Sequence, residues 1–389
     1  MTTSVVIGYD GSEVVGHRTI PWYNSALGGA RAKVERFITQ YPDRPASLLL
    51  WGVGNHGGGP SHKDLEDLSS LIAGTDSTEI RHSTPEAYFA DLLETRPRDT
   101  LPRHERDINP WAVGCYTSQV RIKQLHRRLE NELYCTEKMA SAAWLQGLMA
   151  YPTEELAEAQ RDLLTAQFHD VLPGSSIQPV EEMSLRVLDH GLELLSRARA
   201  RAFFSLASGQ PKAKEGEIPI LVYNPHPYPV RTIVECEFQL ADQNWEDNFT
   251  NVTVYRGRTR LPGQVEKEDG NLTLDWRKRV AFSAELKPST MSRFDCRLEV
   301  LPAKPPLPIL DPEQGTFTFA TGRLEVQINL HTGLLDRYCV DGVDYLRAPG
   351  AEALVIRDNE DPWGMTVRSF RKVAGRFKLL SPAESAAFS

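Results

Sequence analysis

Apolar residues recur every three or four positions through most of residues 106–205. A first stretch carries this repeat at Ile122, Leu125, Leu129, Leu133, Ala140, Trp144 and Leu148. A second stretch runs from Pro152 to Phe168, and a third begins at Pro179. Such spacing places the apolar side chains on one face of an α-helix. Three amphipathic helices with short connections predict a three-helix bundle.

In residues 218–389 the apolar period changes from helical to alternating. Residues 234–240 and 324–330 each alternate apolar and polar side chains, the pattern of a strand with one buried face. Asp341 and Gly342 between two such segments are typical of a tight hairpin turn. We therefore predict an antiparallel β-sandwich, which is truncated because few strands follow Val355.

Residues 1–95 mix both patterns. The apolar run at 47–53 leads into a glycine-rich loop and predicts a buried strand. Apolar spacing at 64–72 and at 85–93 predicts two short helices. This part of the chain is therefore predicted to be an α/β domain.

The chain is predicted to be a multidomain protein of α and β structure, since 389 residues suffice for two or three domains. We place the α/β domain at residues 1–100 and the helical middle domain at 101–207. A polar linker with Gly and Pro follows at 208–217, and the β-sandwich occupies 218–389.

Charge and composition exclude some classes of binding partner and indicate the cellular compartment. The net charge of −8 argues against nucleic acid or an anionic membrane as a partner. No apolar run reaches the length of a transmembrane helix, and the first residues lack the features of a signal peptide. The five cysteines are odd in number and widely spaced, which favours free thiols in a reducing compartment. We therefore predict a cytoplasmic protein.

Residues 167–176, Gln-Phe-His-Asp-Val-Leu-Pro-Gly-Ser-Ser, are the most informative string in the chain. His169 and Asp170 place an imidazole beside a carboxylate where Pro173 and Gly174 end a helix. Such a pair suits a metal ion or a sugar. The alternative is a solvated helix end, where His favours the helix dipole and Asp caps a turn.

Residues 55–60, Asn-His-Gly-Gly-Gly-Pro, form the second notable string. Three consecutive glycines allow positive φ and close approach of the backbone to a ligand. A surface loop is the alternative. A phosphate-binding loop is disfavoured because no Gly-Lys-Ser or Gly-Lys-Thr follows.

Both strings resemble the α-mannosidases of glycoside hydrolase family 38, of the bacterial type. Residues 114–118, Gly-Cys-Tyr-Thr-Ser, are similar to the start of that family's helical middle domain. The resemblance implies a zinc-dependent, retaining glycosidase that acts on terminal α-mannosides. It also implies that residues 1–100 are the C-terminal part of a barrel-like catalytic domain.

The resemblance suggests roles for five residues. His169 corresponds to one of four zinc ligands, and Asp170 to an acid that contacts the substrate or orients the metal site. Asn55 and Tyr116 are further substrate-binding candidates, Tyr116 as a wall of the sugar site. His56 occupies the position of the general acid/base, a task that imidazole can perform near neutral pH. We expect His169 and the loop that contains His56 to face one shared cleft.

Other residues receive structural roles or none. Thr117 or Ser118 is expected to cap the first long helix, and Thr153 the second. The His-Lys-Asp string at 62–64 could supply two metal ligands, but we expect it to cap a helix. The acid-rich string at 358–363 is left unassigned.

Much of the family's catalytic machinery is not evident in the chain. A retaining glycosidase needs a carboxylate nucleophile and an acid/base about 5 Å apart. In the family, the nucleophile and the other zinc ligands lie upstream of an Asp-Gly-Ser turn, which here begins at Asp10. Because His169 and Asp170 offer at most two ligands, we expect weak or no zinc binding by the isolated chain.

We therefore interpret the chain as an internal or truncated fragment of an α-mannosidase that is inactive alone. The expected partners are a mannose-containing oligosaccharide, an N-terminal catalytic segment, and further copies in a homo-oligomer. A non-catalytic carbohydrate-binding or interaction protein derived from the same fold is the alternative function.

Overall fold

The computed structural model describes residues 3–42, 44, 46–54, 58–108, 111–266, 275–304, 315–364, 369–381 and 384–385. The chain divides into two compact units, Met1–Pro110 and Trp111–Ser389. Helices and antiparallel sheets occur together, which confirms the predicted mixture of α and β structure. The domain boundaries at 100, 207 and 217 stay a prediction.

The described part of the first unit contains three α-helices and a small sheet. The helices are α1 (Ala30–Gln40), α2 (His62–Ala73) and α3 (Pro85–Thr95), and the strands are β1 (Thr3–Ile7), β2 (Glu13–His17) and β3 (Arg103–His104). Strand β1 lies between the other two, antiparallel to β2 and parallel to β3. Helices α2 and α3 confirm the two short helices predicted from apolar spacing.

Helices α1 and α2 begin beside one buried carboxylate. Ser61 Oγ caps α2 by accepting the backbone N–H of Asp64 at 3.0 Å. Asp64 Oδ1 accepts the backbone N–H of Ala30, the first residue of α1, at 3.1 Å. The hydrogen bond from the Ser61 hydroxyl is the main reason why the pKa of Asp64 is lowered. The cap of α2 is therefore Ser61, whereas the sequence had suggested residues 62–64.

The strand predicted at 47–53 was wrong. Only Val53 pairs there, in isolated bridges to Ser25 and Gly59. Leu49 and Trp51 pack against the core between α1 and α2 without forming a ladder. A short apolar run marks burial, but periodicity alone does not tell a strand from another buried extended segment.

Three long helices open the second unit: α4 (Val120–Leu145), α5 (Thr153–Ala166) and α6 (Gln178–Ala207). They share an apolar core of Ile122, Leu129, Leu133, Leu156, Ala159, Leu163, Ala166, Val171, Leu188 and Leu195. Gly191 lets α6 approach α4 closely, because a Cβ there would lie 2.9 Å from a methyl carbon of Leu129. The helical spacing of the sequence is confirmed.

The helix starts differ from the prediction. Gln119 precedes α4 with a positive φ of 46°, and no side chain caps this end. Pro152 precedes α5, also without a side-chain cap. The caps predicted at residues 117–118 and at Thr153 were therefore wrong.

The rest of the second unit is built from short and long strands. These are β4 (Glu217–Asn224), β5 (Val230–Asn244), β6 (Phe249–Arg256), β7 (Thr259–Arg260), β8 (Gly263–Glu266), β9 (Asp275–Leu286), β10 (Thr290–Leu301), β11 (Thr316–Ala320), β12 (Leu324–Asn329), β13 (Leu335–Val340), β14 (Val343–Asp344), β15 (Leu354–Ile356) and β16 (Val373–Arg376). They form antiparallel sheets in the orders β4-β10-β6-β7, β5-β9-β8, β11-β12-β13-β14 and β15-β16.

The first two of these sheets bury a common apolar core. Its buried members are Val252, Val254, Val280, Phe282, Ala284, Leu286, Phe294 and Cys296. The alternating segment predicted at 234–240 lies in β5, and the segment at 324–330 forms β12 except for its last residue, Leu330. Asp341 and Gly342 form the predicted hairpin turn between β13 and β14, with φ of 49° and 82°.

The helices of the second unit also touch its strands. Tyr223 of β4 packs against Met139 and Ala140 of α4 and Ala202 of α6. Within the described ranges, no helix combines the length and the apolarity needed to cross a membrane.

Candidate functional site

The string that carries His169 forms a run of turns after α5. Backbone hydrogen bonds lead from Val171 to the Phe168 carbonyl at 2.9 Å and from Gly174 to the Val171 carbonyl at 3.0 Å. The Val171 side chain is buried in the helical core. Burial of Val171 therefore holds the turn against the helical core, while His169 and Asp170 lie at the surface.

The backbone of this turn packs closely against the backbone that precedes α4. Gly174 has a φ of 79°, and a Cβ there would lie 2.5 Å from the carbonyl oxygen of Ser118. Gln119 Nε2 donates to the Ser176 carbonyl at 2.8 Å. The left-handed conformation of Gln119 thus aims its amide at the turn instead of capping α4.

Lys123 connects the same two segments by side-chain hydrogen bonds. Its Nζ donates to the carbonyl of Ser118 and, at 2.9 Å, to the carbonyl of Leu172. Burial lowers the pKa of Lys123. The ammonium group therefore joins the segment before α4 to the turn that follows α5.

His169 and Asp170 form a solvent-facing pair. Nε2 of His169 lies 3.4 Å from Oδ2 of Asp170, and the side chains are 65% and 47% exposed. Ser175 Oγ donates to Asp170 Oδ1 at 3.3 Å, and the Phe168 ring lies 4.2 Å from the imidazole between centroids. An exposed imidazole and carboxylate in contact offer an arriving ligand lone pairs for a metal ion or for sugar hydroxyls.

Tyr116 ends a short 3-10 helix, Val113–Tyr116, just before α4. Tyr116 is 61% exposed. Burial is the main cause that raises the pKa of the neighbouring Cys115 thiol. Cys115 is therefore protonated at neutral pH, and this thiol is a poor nucleophile.

Residues 361–364, Asp-Pro-Trp-Gly, dock onto the same segment. The Gly114 N–H donates to the Trp363 carbonyl at 3.0 Å, and Ser118 Oγ donates to the Pro362 carbonyl at 2.6 Å. A Cβ on Gly114 would lie 2.7 Å from the Gly364 nitrogen. We call residues 114–118, 167–176 and 361–364 together the three-segment cluster.

Sequence reasoning missed the third member of this cluster. The string 358–363 stood out by its acids, but nothing local ties it to residues 114–118. The contact between Ser118 and Pro362 spans 244 positions of the chain. The one available signal was the pair of glycines at 114 and 364, which permit the close backbone approach.

The string at 55–60 is described only in part, because Asn55 and His56 lie outside the described residues. A Cβ on Gly58 would lie 2.9 Å from the backbone of Gly52, so this glycine approaches the protein's own chain. The roles of Asn55 and His56 and the shared cleft stay predictions.

A metal site is not completed by the described part of the chain. No group of three or more His, Cys, Asp and Glu side chains converges there. His169 and Asp170 supply two donors, whereas zinc takes three or four protein ligands. The described residues therefore do not by themselves fit a zinc ion.

Comparison with known proteins points to one family. A family model described as the α-mannosidase middle domain matches residues 111–206. α-Mannosidase G of Dictyostelium discoideum is 32% identical over 196 residues, which are 48% of this chain and 17% of that protein. α-Mannosidase 2C1 of Homo sapiens is 30% identical over 229 residues, 57% of this chain and 21% of that protein.

A solved structure has a similar fold. It belongs to a protein in glycosyl hydrolase family 38 from Enterococcus faecalis, with a TM-score of 0.58 and 15% sequence identity. The similarity covers 88% of this chain and 42% of that one.

The matched middle domain contains two of the three segments of the cluster, 114–118 and 167–176. The chain spans about a fifth of the length of the two curated relatives described above. The chain is therefore similar to a part of the α-mannosidases, and that part includes their middle domain.

Proposed function

We propose that this chain works as part of a retaining α-mannosidase that releases terminal α-mannose from glycans or oligosaccharides. One observation carries the proposal: the middle-domain match includes the turn that presents His169 and Asp170. Two curated relatives are α-mannosidases by name. The assignment concerns the complete enzyme, since the chain spans only a part of its relatives.

The catalytic reaction would proceed through a covalent mannosyl intermediate. A carboxylate attacks the anomeric carbon, an acid protonates the leaving oxygen, and water then releases the sugar with retained configuration. His56 is the proposed acid/base. Asp170, Asn55 and Tyr116 are proposed to contact the sugar. The carboxylate and the amide would form hydrogen bonds with hydroxyl groups of the sugar, and the tyrosine would pack its ring face against it.

His169 is proposed as one ligand of a zinc ion in the complete enzyme. Its exposed imidazole is a suitable donor, and the neighbouring carboxylate of Asp170 can fix the ring orientation. The remaining ligands must come from residues other than those described. The isolated chain is accordingly proposed to bind zinc weakly or not at all.

We further propose a cytoplasmic location and the finer architecture inferred from the sequence. Residues 1–100 would complete a barrel-like catalytic domain, residues 101–207 would form the middle bundle, and residues 218–389 a truncated β-sandwich. A catalytic segment N-terminal to this region is the proposed partner, together with further copies of the chain.

The test is hydrolysis of an aryl α-D-mannoside in the presence of zinc. The chain should be inactive alone and become active when an N-terminal catalytic segment of a family member is added. Mannoside binding without turnover in both mixtures would instead support the non-catalytic carbohydrate-binding protein. Neither binding nor hydrolysis in either mixture would contradict the proposal.

A further inference from the structure

Two cysteines from different sheets belong to one apolar core. Cys236 lies on β5 opposite Val280 of β9, and Cys296 lies on β10 opposite Val254 of β6. Strands β5 and β9 belong to one sheet, and β10 and β6 to another. Both cysteines nevertheless pack into the same apolar core.

The alternation of each strand places both cysteines on the side of their sheet that faces the common core. On β10, Phe294 and Cys296 are buried while the residues between and beside them are not. On β5, Val234, Cys236 and Phe238 form the less exposed row and pack against that core. Cys236 Sγ lies 3.7 Å from the Val280 carbonyl oxygen on the neighbouring strand. Interaction with the other thiol is the main cause that lowers the pKa of Cys236 and raises the pKa of Cys296.

We propose that Cys236 and Cys296 are a disulfide-forming pair that links the two sheets when a low-molecular-weight disulfide of the glutathione type is present. In reducing surroundings both remain thiols, as they are in this structure. Neither cysteine belongs to the three-segment cluster, and the inference is independent of the proposed α-mannosidase activity.

The order of events follows from the environments of the two thiols. Cys236 is only half-buried whereas Cys296 is buried, so Cys236 is the thiol that reaches the glutathione disulfide first. This step forms a mixed disulfide and releases one glutathione thiolate. The buried Cys296 then gives up its proton and displaces the second glutathione, closing the bond between the sheets.

The exchange balances without any other reactant. Two protein thiols are oxidised to one disulfide, and one glutathione disulfide is reduced to two glutathione thiols that receive the two protons. Bond formation brings the two sulfur atoms to about 2.05 Å.

The test is thiol mapping of the folded chain after incubation with glutathione disulfide. The reaction is quenched with acid, the protein is unfolded and alkylated, and the peptides are identified by mass. Two of the five cysteines should escape alkylation, and one peptide pair should join Cys236 to Cys296 until a reductant is added. The oxidised protein should also melt at a higher temperature than the reduced protein.

Variants provide the controls. Cys236→Ala should lose both the cross-linked peptide and the shift in melting temperature. Cys135→Ala should retain both, because Cys135 is also half-buried but has the Met139 sulfur, at 3.9 Å, as its neighbour. Full alkylation of all five cysteines in the wild-type chain would overturn the proposal, as would Cys236 held only as a glutathione adduct.

Discussion

At the scale of single residues, Gly174 is the position where the turn bearing His169 depends most on side-chain size. Two features require glycine at this position: the left-handed backbone and the close contact with the Ser118 carbonyl. The first disfavours any L-residue, and the second leaves no space for a Cβ. Gly147 has a similar φ of 69°, but a Cβ there would meet nothing within 4 Å, so this glycine separates the two effects.

Gly174→Ala should destabilise the second unit more than Gly147→Ala does. The conformational cost alone is roughly 1–2 kcal/mol, and overpacking against Ser118 adds roughly 1–3 kcal/mol more. Urea denaturation followed by circular dichroism measures both. Equal losses for the two variants would show that the close approach to Ser118 contributes nothing.

Lys123 is the second residue on which the cluster depends. Lys123→Met keeps the length of the side chain but leaves the carbonyls of Ser118 and Leu172 without this donor. The expected loss is about 1–3 kcal/mol in the free energy of unfolding. Lys138→Met, at an exposed position of the same helix, should cost less than about 0.5 kcal/mol. An unchanged free energy of unfolding in Lys123→Met would show that these hydrogen bonds do not stabilise the cluster.

At the scale of elements, α4 carries a histidine inside its apolar face. His126 is 6% exposed, and its Nε2 has no hydrogen-bond partner among the described residues. Burial is the main cause that lowers its pKa from 6.5. The folded protein therefore holds a neutral imidazole, whereas the unfolded chain takes up a proton near that pH.

The free energy of unfolding should consequently fall as the pH drops below 6.5. Between the lowered folded pKa and 6.5 the unfolded state binds more protons, so stability rises with pH and is complete above 6.5. Urea denaturation from about pH 5 to about pH 8 measures this slope. His126→Leu should reduce this slope, with a remainder from His17, whose pKa burial also lowers. His190→Ala, at the surface of α6, should leave the slope in place.

Helices were predictable where the apolar period is long and regular. α2 to α6 follow the spacing of the sequence because one face of each must be buried. The repeat fails near the end of α4, where Trp144 is 53% exposed beside the ring of Tyr151. The apolar segment at 47–53 failed for a related reason: its burial is visible in the sequence, but its pairing depends on distant partners.

Helix caps were less predictable than helices. The residues before α4 suggested a hydroxyl cap, yet Ser118 turns its hydroxyl to Pro362, far away in the chain. Gln119 then takes the left-handed conformation that no local signal indicates. Tertiary contacts therefore override local capping preferences at this helix start.

At the scale of the whole molecule, the candidate site was predictable only as separate strings. The sequence identified His169 and Asp170 by their neighbours, and the structure shows that their turn rests on residues 114–118 and, through them, on 361–364. That arrangement depends on contacts across most of the second unit, which no periodicity encodes. The relation of this site to the loop at 55–60 stays a prediction.

The central claim is that His169 serves an α-mannosidase as a metal ligand. The chain offers a matched control, because His190 on α6 also contacts a carboxylate, Asp162, at 2.8 Å and is also exposed. A general effect of removing a surface His–Asp contact should therefore appear equally in both alanine variants.

The most direct measurement is kcat/KM for an aryl α-D-mannoside, with the bound zinc counted, in the complete enzyme carrying His169→Ala or His190→Ala. His169→Ala should lower kcat/KM by at least about 10²-fold and lose the zinc, while His190→Ala should match the unaltered enzyme in both. Unchanged zinc content and hydrolysis in His169→Ala would contradict the account.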